Sequence, residues 1–189
     1  MDNFELNKSN PEMATKNAID WWRQLDNPPT SEGEIINEWA EPNRKLLEKE
    51  AIKKWTIENL IQLCSRVHAA RDHSLRVDNQ TYGLSKCTKQ KSQDECIKLL
   101  ANFLWSQRSV SGKSILDVIT YVLYDGPDKD LPVRLWDATH DEKWRIPHLG
   151  LSTLGELVGW AKPNLFPPRN GRTSKALTAL GYKVRIHSG

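Results

Sequence analysis

At 189 residues, 38% hydrophobic and 27% charged, the chain is long enough for one real core and fits one domain, or one domain with a helical extension. A formal net charge of +3 is too small for a global field, so any attraction to nucleic acid must come from local clustering. No apolar run approaches the ~20 residues that span a bilayer, which argues against a membrane protein.

The three cysteines, Cys64, Cys87 and Cys96, form no C-x-x-C pair and leave an odd thiol, so a reduced, cytoplasmic setting is expected. Residues 1–13 read as a disordered lead whose first ten positions are polar and lack the apolar segment of a signal peptide. Ala14 to Leu25 has the pattern of a short amphipathic helix carrying Trp21 and Trp22, stopped by Asn27-Pro28-Pro29. Thr30-Ser31-Glu32-Gly33-Glu34 restarts a helix with a cap and early acids, and Pro42 breaks or kinks it. From Asn43, the apolar spacing of Leu46, Leu47, Ile52, Trp55, Leu60, Leu63 and Val67 predicts one long helix.

Ser74 to Lys91 lacks periodicity and reads as a loop, with turn chemistry at Asn79-Gln80-Thr81-Tyr82-Gly83. Its Lys86, Lys89 and Lys91 read as solvated charges. Ser92 to Trp105 and Ser114 to Tyr124 are two more apolar-faced helices, the second ended by Asp125-Gly126-Pro127-Asp128. A short helix follows from Leu131 through Trp136, and Lys183 to His187 suits a short strand. The expected organisation is a helical scaffold over 14–124 and a separate module over 125–189.

The stretch from Ile146 to Tyr182 carries the functional signal. Two short helical patterns flank a connection punctuated by Pro163, Pro167 and Pro168. One opens with Gly150, Ser152 and Thr153, the other with Asn170, Gly171, Arg172 and Thr173, groups whose free backbone N–H bonds and helix dipole suit an anion. After Glu156 there is no acid at all, while Lys162, Arg169, Arg172, Lys175, Lys183 and Arg185 accumulate. A basic end on a nearly balanced chain points at nucleic acid.

Ile146-Pro147-His148-Leu149-Gly150-Leu151-Ser152-Thr153 resembles the hairpin of the helix-hairpin-helix DNA glycosylases of the endonuclease III and adenine glycosylase type. Counting on without a gap, Phe166-Pro167 falls where adenine glycosylases often carry Phe-Pro. Ala176 to Gly181 falls on the next helix with its Leu-Gly ending. The resemblance covers roughly a fifth of the chain, and its departures bear on activity. His148 stands at the first hairpin Gly, Ser152 at the catalytic Lys position, and Asn170 at the catalytic Asp. A neutral Asn cannot act as a general base or as a carboxylate facing an oxocarbenium-like centre. The resemblance therefore implies a DNA-binding relic that excises no base, and upstream the spacing is too short for the full helix set of the family.

Other motifs have plainer readings. Gly112-Lys113-Ser114 lacks the earlier Gly of a phosphate-binding loop, since position 107 is Gln and a helix precedes it. Arg66 and His73 fit the loose Arg-x4–6-His pattern of helical HEPN ribonucleases, but a basic helix end explains them equally well. His140, His148 and His187 are dispersed without carboxylate spacing, so neither a metal nor any other cofactor is expected. Trp136, Trp144 and Trp160 sit among apolar neighbours and read as core, with base stacking as their other use.

These readings converge on a mostly α-helical protein with a C-terminal helix-hairpin-helix-like, alternatively winged-helix, module. It is expected to bind DNA, or another nucleic acid, as part of a larger nucleic-acid-processing or defence assembly. His148, Leu149, Gly150, Ser152, Thr153, Arg169, Asn170, Arg172 and Lys175 form the expected contact set. The alternatives are a nuclease or glycosylase with an altered site, a HEPN-like RNase, and a protein–protein adaptor whose Trp-rich helices bind a partner or a second copy.

Overall fold

The computed structural model describes residues 9–26, 33–85, 91–167, 169 and 171–184, with the backbone alone for 33–37. Among these it contains ten α-helices and no strand. The mostly helical class read from the sequence holds. No described helix is long and apolar enough to cross a membrane.

The chain divides into two compact units, residues 1–37 with 171–189, and residues 38–170. Residues 125–170, grouped by the sequence with the C-terminal module, thus lie in the larger unit. In the smaller unit, α1 runs from Pro11 to Arg23, with Asn10 accepting from the Met13 N–H and proline in the first turn. Its other helix, α10, spans Gly171–Ala179. Thr15 on α1 hydrogen-bonds the Tyr182 hydroxyl at 3.3 Å. Ala14 and Ser174 are buried here, while Met13, Ile19 and Trp22 are exposed.

The larger unit contains the core. After α2 (Gly33–Leu46), the expected long helix is replaced by α3 (Lys49–Ile52), α4 (Ile57–Arg66) and α5 (His68–Ser74). Extended backbone at Glu48, Thr56 and Val67 makes the breaks. Periodicity survives them because each short helix buries the same kind of face, yet Thr56 prefers capping to propagating a helix. Its N–H donates to Asn59 Oδ1 at 2.9 Å and its hydroxyl to Glu58 at 2.6 Å. Pro42 lies inside α2.

Helices α6 (Gln93–Ser106) and α7 (Ile115–Tyr124) start where expected, each on a capping box, Ser92 with Glu95 and Ser114 with Asp117. After a 3₁₀ turn at Asp128–Asp130, α8 extends over Leu131–His140, beyond the predicted Trp136. The guanidinium of buried Arg134 donates to the carbonyls of Val122 and Pro127, which fixes α8 against the end of α7. Helix α9 (Leu151–Ala161) is buried at every residue from Thr153 to Trp160. A helix apolar all round belongs inside a bundle, and α5, α7 and α8 pack around it. The predicted strand finds no counterpart at Lys183 and Val184, and Arg185–His187 lie outside the described residues.

Candidate nucleic-acid interface

The start of α9 differs from the starts of α4, α6 and α7. Gly150 occupies its N-cap in an extended conformation (φ −92°, ψ 173°), with no side-chain cap and no acid in the first turn. Gly150 is exposed, Leu151 and Ser152 are half-buried, and Thr153 is buried. At the starts of α6 and α7, a Ser and its own carboxylate occupy the orphan amides. At α9 neither a side-chain cap nor an acid occupies those N–H groups at the positive end of the helix dipole.

The turn before α9 is fixed from below. The Leu149 N–H donates to the Ile146 carbonyl at 3.2 Å, and both side chains are buried in the core. Between them, His148 adopts φ 65°, a left-handed conformation that no other non-glycine residue among those described shares. His148 therefore adopts a backbone that suits glycine despite its Cβ. Side-chain contacts offset that strain. The His148 Nδ1 lies 3.1 Å from His73 Nε2 on α5, so one proton joins the two rings. Phe103 on α6 packs on His148 in a T-shaped arrangement, centroid to centroid 5.2 Å at 86°. Burial, then the charge of His148 and then that of Arg76, hold His73 below the usual imidazole range.

Glu156, on the buried side of α9, is a functional-looking carboxylate with a structural task. It is 2% exposed and accepts from the backbone N–H groups of His68 at 2.8 Å and Ala69 at 3.0 Å. It thereby caps α5 from a distant part of the chain. His68 Nδ1 is 3.4 Å from the same carboxylate, and the His68 ring packs on Trp39, whose other neighbour is the Arg71 guanidinium. Sequence reasoning missed this use of Glu156. A lone acid inside the apolar pattern Leu149 to Trp160 was the available signal, because a buried carboxylate needs partners.

The connection after α9 returns along it. A Cβ on Gly155 would stand 2.8 Å from the Arg169 carbonyl oxygen, and the Arg169 N–H donates to the Gly155 carbonyl at 3.3 Å. Gly155 thus admits the backbone that carries half-buried Arg169. Lys162, counted with the basic end, is committed elsewhere: its ammonium pairs with Asp128 at 2.5 Å and covers the Tyr124 ring. In the smaller unit, Arg172 and Lys175 are exposed on α10, whose first turn has no acid. Asn170 lies outside the described residues. The structure therefore brings His148, Leu149, Gly150, Ser152, Thr153 and Arg169 into one unit and places Arg172 and Lys175 in the other.

The remaining motifs resolve as follows. Ser114 serves as the cap of α7, and Lys113 lies over Trp144. Arg66 and His73 belong to different helices, separated by extended Val67, so the HEPN-like spacing is not carried on one helix. Trp160 is core, Trp144 is half-buried and stacks flat on Tyr121 at 3.8 Å, and Trp136 is 51% exposed against His140. The core reading of Trp136 is thereby corrected: it lies on the outward stripe of α8 with Val133 and His140. Among the described residues no group of three His, Cys, Asp or Glu side chains converges as a metal site would require. Compared with known proteins, the chain matches no family model, no curated protein and no solved structure.

Proposed function

We propose that this protein binds DNA through its backbone phosphates, using a helix-hairpin-helix-like module that has no base-excision activity. One observation carries the reading: α9 opens on exposed Gly150 with neither a side-chain cap nor an acid, whereas α6 and α7 occupy their own first turns. Of the amides from Leu149 to Thr153, those from Gly150 onward offer donors to one phosphate, the Leu149 N–H being held by the Ile146 carbonyl, with the Ser152 and Thr153 hydroxyls beside them. Arg169, Arg172 and Lys175 supply further phosphate contacts. The arrangement of α8, the connection containing the Ile146–Leu149 turn, and α9 packed on α8 supports the module reading. Backbone contacts position a protein and read no base, so sequence preference is weak.

Chemistry at a sugar centre asks for a carboxylate, and the acid on α9, Glu156, is turned inward to cap α5. Asn170 at the matching catalytic position is neutral. Duplexes carrying uracil, oxidised guanine opposite adenine, or an abasic site are accordingly expected to remain intact.

The test is duplex binding across a salt series with the parent and an Arg169→Glu, Arg172→Glu, Lys175→Glu variant. The parent's affinity should fall steeply with salt. The variant should bind at least tenfold more weakly with a flatter slope, in line with a loss of roughly one counterion per contact. Equal binding by the variant would remove the basic end from the footprint, and turnover abolished by Asn170→Ala would promote an enzyme.

A further inference from the structure

The His73–His148 pair is not needed to present amides to a phosphate, and its placement asks for a reason. Two elements distant in sequence meet here, the last turn of α5 and the turn that launches α9, and their junction is one hydrogen bond between imidazoles at 3.1 Å. Such a bond requires a lone pair on one facing nitrogen and a hydrogen on the other. It persists while at least one ring is neutral. When both rings are protonated, two N–H groups confront each other and the bond is lost.

We propose that this pair couples phosphate binding at the start of α9 to protonation of the two rings. The inference rests on the DNA-binding reading above and adds its regulation. In the free protein the surroundings oppose a second charge. His73 is half-buried, its ring faces His148, and the Arg76 guanidinium is the next cation. From the same loop, the Asp78 carboxylate is held below its usual range chiefly by the Thr81 N–H at 2.8 Å and, least, by the charge of His148. The α6 side contributes Phe103, which is neutral, with Tyr82 packed behind it. The charges that act on the His73 ring, those of His148 and Arg76, are both positive and oppose its protonation.

A phosphate at Gly150, two residues from His148, changes that balance. Its negative charge favours the doubly protonated pair. A proton from solvent then takes the lone pair that accepted the inter-ring bond. The bond breaks, and His148 is left with a ring N–H able to turn toward the phosphate oxygen. Phosphate binding and proton uptake favour each other by equal amounts, as linkage requires. The left-handed backbone of His148 gives the released ring a second reason to move, since the bond to His73, one of the contacts that offset its strain, is the one that protonation breaks.

The experiment is fluorescence anisotropy with a labelled duplex at constant ionic strength, at about pH 7.5 and about pH 5.5. It compares the parent with His73→Gln, whose amide can still bond the His148 ring but cannot be charged. The parent should bind about tenfold more tightly at the lower pH, and His73→Gln should match it at the higher pH while losing most of the gain. A parent that binds duplex with no pH gain, or a variant with the full gain, overturns the proton linkage and leaves the DNA-binding reading standing. Absence of salt-dependent binding at either pH overturns the DNA reading, and the linkage falls with it. Should circular dichroism show His73→Gln unfolded, the parent's imidazole resonances decide. The linkage requires the midpoint of a ring in the pair to rise when duplex is added, and an unmoved midpoint overturns it.

Discussion

Glu156 and His73 show how a single side chain can look catalytic and be bound to the architecture. The Glu156 carboxylate satisfies two amides that α5 would otherwise leave unpaired inside the protein. Glu156→Ala strands both donors, and hydrogen bonds to a charged acceptor contribute about 1.5–3 kcal/mol each. The substitution should therefore lower unfolding free energy in urea by about 3 kcal/mol or more. Glu156→Gln, which keeps one acceptor oxygen, should lose less. A difference smaller than about 1 kcal/mol for the alanine variant would mean that water replaces the carboxylate. His73 supplies a pH dependence whose sign follows from its environment. Its folded form releases the proton more readily than the unfolded imidazole, which titrates near 6.5. As pH falls through that value, the unfolded chain gains a proton that the folded chain refuses, so stability declines until His73 itself titrates. Melting temperature measured without DNA should drop on acidification across this window, and His73→Gln should make the drop shallower.

At the scale of elements, Gly155 sets the seat of the segment that follows α9. Alanine there would raise helix propensity by about 1 kcal/mol, but its Cβ would meet backbone at Arg169, which cannot rotate away. The clash wins, and Gly155→Ala should cost about 1–2 kcal/mol in denaturant titration while weakening duplex binding through a displaced Arg169. The helices themselves were legible where sequence carried both a cap and a period. Ser92 and Ser114 announced α6 and α7 almost to the residue. The region from Asn43 to Val67 was misread because apolar spacing runs through α3 and α4 without a gap, and Thr56, the cap that separates them, carries no Pro or Gly beside it. Of the candidate interface, the Gly150 turn was visible from its composition. The imidazole pair was not, because His73 and His148 are joined only by tertiary packing, and neither position has a spacing that indicates the other.

For the whole molecule, the division of buried surface separates folding from association. The larger unit holds the continuous apolar core, from Leu47 through Trp160, while α1 in the smaller unit buries Ala14 and leaves Trp22 44% exposed. Trp21→Ala with Trp22→Ala should therefore leave the main cooperative unfolding within about 0.5 kcal/mol of the parent, as surface changes do. If these rings anchor a partner or a second copy, sedimentation should show association weakened in the same variant. A shift of the main transition by about 2 kcal/mol or more would place them in the core.

Because every residue from Thr153 to Trp160 is enclosed, α9 has no face along which water can reach its backbone while its neighbours stay folded. Its central amides should exchange with deuterium only through global unfolding of the larger unit, more slowly than those of α1, which buries Ala14 alone. The open first turn is thus mounted on the last part of the larger unit to loosen. Duplex binding and ellipticity, followed in one denaturant titration, should disappear together. A binding loss that precedes the ellipticity change would show that the turn frays while α9 holds. The interface would then be a hinged loop rather than the fixed end of a buried rod.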